Sequence, residues 1–361
     1  MQAIFYCFDA RLPITLCPLK QSHKQHHIID NRDTVGVLVT NLGTPAAPTP
    51  GAVREYLAEF LSDRRVVDTL PRPLWWLILH GIILRTRPSK SARNYRRIWT
   101  PEGSPLLVIS KRQVAALQSL LDEKSSATVR VALGMRYQKP SLREALERLH
   151  AGGVRRLLIL PLYPQYSAAT TASTFDAIAR EMQGWRWVPT LRFIHGYHDD
   201  EGYILALCQS IRSAWAERAP AERLLFSFHG LPVHHIESGD PYHDQCQTTA
   251  RRVCERLSLD DGQWAISFQS RVGRQEWLTP HTDELLRKWG KEGIKSVDVI
   301  CPGFSTDCIE TLEEIEIRAR ETFCSAGGGV FRYIPGLNDR PEHIRALADL
   351  VRAHAGDWLN K

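Results

Sequence analysis

Three observations predict an α/β protein with parallel sheets arranged as two Rossmann-like, doubly wound halves. Short runs rich in Val, Ile and Leu recur from residue 33 onward, helical segments separate most of them, and the strands number about eight. Apolar runs without strict alternation belong to strands buried on both faces, as in parallel sheets covered by helices. About eight strands suit two such halves better than one.

The elements follow in order. VGVLVTN (35–41) reads as a buried strand, and VREYLAEFL (53–61) carries apolar residues at helical spacing. Further strands are expected at TVRVALG (128–134), VRRLLILPLYP (154–164), TLRFIHG (190–196), RLLFSFHG (223–230), WAISFQS (264–270) and SVDVICPG (296–303). Helices are expected at 110–121, 141–150, 171–182, 203–217, 243–257, 282–290 and 306–320. Residues 1–32 have poor periodicity and a polar patch with His23, His26 and His27, and they read as a mobile N-terminal extension rather than a metal site.

Composition narrows the class. A chain of 361 residues holds one large domain or two ordinary ones, and 43% hydrophobic with 24% charged residues excludes a disordered or fibrous protein. A net charge of +6 is too mild to argue for nucleic acid. The eight cysteines form no C-x-x-C pair, which suits free thiols in a reducing compartment. The N-terminus lacks the basic region of a signal peptide. No apolar run approaches the roughly 18 residues of a membrane span. The longest, 74–84, is interrupted by His80 and Gly81. A cytoplasmic protein is expected.

In doubly wound sheets the working residues sit just past the carboxyl ends of strands. Several strands here end on polar chemistry: Asn41, Arg136 with Tyr137, Tyr163 with Gln165, His229, and the stretch Cys301–Asp307. His229 closes an apolar strand and is followed by Gly-Leu-Pro, a sharp turn that leaves an imidazole facing a cleft. Asp307 and Glu310 fit an N-terminal capping box. Yet Asp307, Glu310 and Glu314 put more negative charge on one helix start than capping requires, and like charges at i,i+4 cost roughly 0.2–0.5 kcal/mol. Arg318 relieves Glu314, whereas Glu310 has no basic residue at i+3 or i+4. Carboxylates with an imidazole suit a divalent cation or proton transfer. Ahead of them, two tryptophans in the 74–84 segment lead into Arg85, Arg87, Lys90, Arg93, Arg96 and Arg97. Such cations are usually a solvated helix face, but beside Trp and Ile they also suit an anionic amphiphile or membrane surface. No G-x-G-x-x-G follows the first strand, and Walker A and G-x-S-x-G motifs are absent.

The sequence resembles ferrochelatase, which inserts ferrous iron into a porphyrin. The matching motifs are VTNLGTP (39–45), YRRIWTPEGSPL (95–106), GMRYQKP (134–140), YPQYSAATTAS (163–173), SFHGLP (227–232), GDPY (239–242), QSRVG (269–273), WLTPHTDE (277–284) and CPGFSTDCIETLEEI (301–315). SFHGLP followed by FSTDCIETLEE is the most specific combination, and only residues 1–32 fall outside the match. The resemblance implies a porphyrin cleft between a first half (33–186 with 332–361) and a second half (187–331), with the C-terminal helix packing back on the first.

It also implies roles. His229 and Glu310 match the core active-site pair, where iron would bind and protons would leave, and Asp307 and Glu314 match further acidic positions leading away. Arg136 and Tyr137 match residues at the porphyrin, and Leu42 and Tyr95 match the cleft wall. Tyr163 and Trp277, in matching motifs, complete the expected porphyrin contacts. The 74–84 segment matches the lip through which porphyrin enters. Animal-type members bind a [2Fe–2S] cluster through a cysteine where Ala168 stands and three in a C-terminal extension; no cysteine follows Cys324 here, so no cluster and no permanent cofactor are expected. Where animal-type members have His, this chain has Cys308, read with Cys301 as a packed thiol. The implied reaction exchanges two pyrrole protons of protoporphyrin IX for Fe²⁺. Coproporphyrin III as substrate, or a non-catalytic porphyrin carrier, are the alternatives.

Overall fold

The computed structural model describes residues 34–359 except 69, 124–126 and 274. The expected N-terminal extension therefore lies outside the described residues. Eight parallel strands form two sheets of four: β1 (Thr34–Gly43), β2 (Thr128–Tyr137), β3 (Arg156–Pro161) and β4 (Thr190–Phe193) in the first, and β5 (Arg223–His229), β6 (Trp264–Gln269), β7 (Ser296–Ile300) and β8 (Val330–Ile334) in the second. The orders are β2-β1-β3-β4 and β6-β5-β7-β8, so the second sheet repeats the topology of the first. Almost every residue of β1 and β5 is buried, which is why these strands read as continuous apolar runs.

Two sequence expectations need correction. A boundary at 186/187 falls just before β4, which pairs with β3, so the first sheet extends to Phe193. An end of the second half at 331 falls inside β8, which pairs with β7 along its length. β8 was not among the individually expected strands. It is a five-residue edge strand that follows three glycines, and Val330 is exposed.

The segment 306–320 is expected as one α-helix. It is instead a wide π-helical run, Ile309–Ala319, continued by an α-helix at Arg320–Ser325. Hydrogen bonding here runs i→i+5, as in the Arg320 N–H to the Ile315 carbonyl. The cap also differs from the expected Asp307/Glu310 box: Thr311 Oγ1 accepts from the Cys308 amide at 3.0 Å. The C-terminal helix, Pro341–Ala355, packs against the helices Pro105–Asp122 and Glu201–Glu217 and against β3. Its inward face carries Ile344, Leu347, Leu350 and Val351. A buried ion pair, Arg332 with Asp298 at 2.5 and 2.8 Å, holds β8 to β7, and Trp215 Nε1 donates to the same carboxylate.

Candidate active site

In sheets of this order the chain leaves the first strand on one side and returns on the other, which opens a crevice beyond the carboxyl ends of the first and third strands. Here those ends are Asn41 with the segment after Pro161 in one half, and His229 with the segment after Ile300 in the other. The two crevices meet. Asn41 Nδ2 donates to Ser110 Oγ and, across the halves, to Thr306 Oγ1. Gln113 Nε2 donates to the carbonyls of Ser305 and Asn338.

The turn after His229 is fixed by backbone. Gly230 N–H donates to the Gln269 carbonyl at 2.7 Å, and Leu278 N–H to the Leu231 carbonyl at 2.9 Å. A Cβ on Gly230 would stand 2.8 Å from that Gln269 oxygen and 3.2 Å from the Trp277 ring, so only glycine fits. Trp277 is thereby packed over the turn that carries His229. His229 Nδ1 lies 2.7 Å from the Gly230 carbonyl, which leaves Nε2 as the free edge of the ring.

Glu310 is half-buried. Burial pushes its carboxyl pKa up, and a hydrogen bond from the Cys308 thiol and the nearby His229 charge only partly offset that. Gln269 Nε2 holds the Glu310 carbonyl at 2.8 Å, while Gln269 Oε1 accepts from Ser227 Oγ on β5, so one amide couples the His229 strand to the Glu310 turn. Cys301 and Cys308 are buried thiols, as expected, and burial pushes both pKa values well up.

The other expected acids separate into different roles. Glu314 accepts from the Ser270 amide at 2.9 Å and the Ser270 hydroxyl at 2.6 Å, and Arg318 lies 3.7 Å away. Asp307 does not open toward solvent. It is buried, and its oxygens accept from Tyr333, Thr311, Asn338 and the Gly336 amide. It fixes the loop entering the π-helix, which corrects its expected place on an acidic path outward. Glu313, which shares the helical turn with Glu310 and Glu314, is 1% exposed and paired with both Arg97 and Arg318.

The porphyrin candidates converge from the first half. Tyr95 is buried beside Glu310 and Cys308. Leu42 is half-buried at the end of β1. At Gly43, φ is +107° and a Cβ would lie 1.9 Å from the Tyr137 carbonyl, so β1 and β2 close on each other here only through glycine. Tyr56, Tyr95, Tyr137 and Tyr163 are near enough to act on one another electrostatically, and Tyr56 also senses Glu310. Tyr56 was not singled out by sequence reading because it reads as one more apolar position of its helix.

Arg136 and Tyr137 are tied down rather than free in the cleft. Asp63 Oδ2 accepts from Arg136 Nη2 at 2.5 Å, Tyr137 Oη at 2.9 Å and Ser173 Oγ at 2.6 Å. Burial pushes the Asp63 pKa up, but hydrogen bonds from Ser173 and the Arg65 amide, with the Arg136 charge, outweigh it and hold the carboxyl below its ordinary range.

The expected lip comprises an α-helix at Arg72–Ile78, a π-helical turn at Leu79–Ile83 and an α-helix at Leu84–Ile98. Its two tryptophans differ. Trp75 is buried and donates to the Leu61 carbonyl at 2.7 Å, whereas Trp76 is 58% exposed beside exposed Leu74, Leu77 and Ile82. Arg85, Arg87, Lys90, Arg93, Arg96 and Arg97 all stand at the surface. Among the described residues no helix is long and apolar enough to cross a membrane.

Two facing crevices of equal topology, with an imidazole and a partly desolvated carboxyl at their junction, describe a chelatase. Comparison by structure agrees on the fold: SirB from Bacillus subtilis, solved with Fe³⁺, matches with a TM-score of 0.54 at 12% identity over 90% of this chain and 96% of that one. A second SirB structure, from the subspecies spizizenii and in complex with cobalt, gives 0.52. The ferrochelatase family model matches residues 34–355. Curated ferrochelatases from Nitrosococcus oceani and Thioalkalivibrio sulfidiphilus are 58% and 53% identical, each over 90% of this chain and 88% of the relative. The chain belongs to the ferrochelatase family and is a metal chelatase of haem synthesis.

Proposed function

We propose that the protein inserts Fe²⁺ into protoporphyrin IX, releasing two protons, with His229 and Glu310 on opposite faces of the ring. The observation that carries this reading is the Glu310 carboxyl, half-buried near His229 at the junction of the halves, with its pKa pushed up by desolvation. A carboxyl that holds a proton more tightly than usual is suited to receive one from a pyrrole nitrogen near neutral pH. His229, with Nε2 free, receives the other. Each departing proton leaves a nitrogen lone pair for the incoming cation. Glu314 extends the acidic side beyond Glu310, and Leu42, Tyr95, Tyr137, Tyr163 and Trp277 supply the apolar and aromatic wall, with Arg136 positioned by Asp63.

Protoporphyrin is preferred over coproporphyrin III because the exposed apolar edge of the lip suits the more apolar ring. The same edge, flanked by surface cations, supports peripheral contact with an anionic membrane on the cytoplasmic side. We propose no [2Fe–2S] cluster, since Ala168 offers no ligand atom. The test is anaerobic mixing with protoporphyrin IX and Fe²⁺, following loss of porphyrin fluorescence. Wild type turns over, while His229→Ala and Glu310→Gln bind porphyrin without turnover. Turnover by both variants at the wild-type rate would end the assignment. Faster metallation of coproporphyrin III would replace the substrate.

A further inference from the structure

Away from His229 and Glu310, one cluster brings together the two halves at the foot of the lip. Asp68 lies in the segment linking the helix Pro50–Ser62 to the lip, and His234 and His235 follow the SFHGLP turn. His234 Nε2 lies 3.2 Å from Asp68 Oδ1, and His235 Nε2 lies 3.4 Å from Asp68 Oδ2. Ligand atoms from all three residues fall within 4.8 Å of one another.

We propose that Asp68, His234 and His235 form a second divalent-metal site, which takes a borderline cation such as Zn²⁺ or Fe²⁺ and fastens the lip to the second half. A tetrahedral ion with bonds of about 2.0–2.1 Å spaces its donors about 3.3 Å apart, close to the two imidazole–carboxylate separations here. Two imidazoles and a carboxylate suit Zn, Fe, Ni or Cu, not Ca²⁺ or Mg²⁺, which take oxygen ligands. The rings meet edge to face, at 86° with centroids 4.5 Å apart, and both Nε2 atoms lie against the Asp68 carboxylate.

An ordinary ion pair accounts for this less well. One carboxylate needs one imidazolium, and an exposed pair contributes about 0–1 kcal/mol. Here a second imidazole, His235, is 8% exposed and its buried Nδ1 makes no hydrogen bond. The cost of placing that ring is left without return unless its Nε2 binds something stronger than a shared carboxylate. The framework is firm on both sides. Arg72 donates to the carbonyls of Val67 and Ser62, and Val67 packs with Leu61, Trp75, Leu79 and Leu84 of the lip core. On the other side His235 N–H donates to the Pro232 carbonyl and Asp240 N–H to the His235 carbonyl. Asp68 and His234 are partly exposed, so an ion arrives directly from solvent and a water completes its shell.

The test titrates the full chain with Co²⁺ under anaerobic conditions, reading visible d–d absorption and stoichiometry by calorimetry. Asp68→Asn and His234→Gln, both at partly exposed positions, are each compared with wild type and with the double variant His229→Ala/Glu310→Gln. The double variant keeps one tetrahedral Co²⁺, whereas Asp68→Asn and His234→Gln lose that equivalent or bind it at least about tenfold more weakly. In wild type, Co²⁺ slows amide exchange across 70–84, and in the two site variants it does not. Superposable isotherms for wild type and both site variants would reduce the cluster to an ion pair. Loss of the tetrahedral signal in the double variant alone would place the cation at His229 and Glu310. Binding without a change in exchange would overturn the fastening role.

Discussion

Asp63 is the residue whose removal tests most of this structure at once. Its side chain is 9% exposed, and one oxygen accepts from Arg136, Tyr137 and Ser173. Asp63→Ala leaves Arg136, 12% exposed, as a buried cation without its counter-charge. Removing one partner of a buried pair costs about 3–5 kcal/mol, a large share of a typical domain's 5–15. Asp63→Asn keeps an acceptor but loses the charge, and is expected to cost less. The pH dependence follows from the lowered Asp63 pKa. A carboxyl with a depressed folded pKa stabilises above its unfolded value, near pH 4, and that contribution is lost as pH falls through the folded value. Urea unfolding followed by tryptophan fluorescence should show the full gap between wild type and Asp63→Ala at pH 7, narrowing below about pH 4. A gap under about 1 kcal/mol at pH 7, or one that does not change with pH, would refute the view that Asp63 anchors Arg136 and Tyr137 as an ionised carboxylate.

Glu310→Gln should raise thermal stability most at alkaline pH. A raised folded pKa means that ionising this partly desolvated carboxyl opposes folding, so the gain shrinks on acidification toward its ordinary range; a pH-independent Tm difference would contradict this. His343, buried with Nδ1 2.7 Å from the Asn338 carbonyl, has its pKa pushed down to about 4 by burial. The distance from its ordinary value is worth about 3 kcal/mol at neutral pH, lost between pH 6.5 and 4, and His343→Gln should flatten that slope in pH-dependent unfolding. Trp76→Ser with Leu77→Ser should reduce sedimentation with anionic liposomes at unchanged stability, while Trp75→Ala should cost about 3–5 kcal/mol; equal effects would contradict their opposite exposure. Gly43→Ala should abolish the site or the fold, and a soluble variant with wild-type porphyrin affinity would show that the β1–β2 closure yields.

What the sequence made legible follows from periodicity and from strand ends. Seven of the eight strands announce themselves as short apolar runs, and the topology then sets His229 and Asn41 at crevices that meet. The divisions at 187 and 331 misplace β4 and β8 because short edge strands, half-exposed, carry little pattern. The π-helical run was not legible because its residues satisfy an α-helical reading equally well; the difference lies in hydrogen bonding over one more residue. In sequence Asp307 and Glu313 are acids of one over-charged helix start, and only the folded chain brings Tyr333 and Asn338 to one and Arg97 to the other. Likewise nothing local marks Asp63 or Tyr56, whose partners come from β2 and beyond.

The placement of the C-terminal helix bears on synthesis. The first sheet is complete in sequence by Phe193, yet the helix that covers part of it and seals Glu201–Glu217 comes from Pro341–Ala355. Until that helix is made, Glu201–Glu217 lacks one of the two helices it packs against. The first half therefore completes its packing only after the C-terminal helix has been made. The nascent protein passes through a sticky, helix-deficient stage that chaperones are suited to cover.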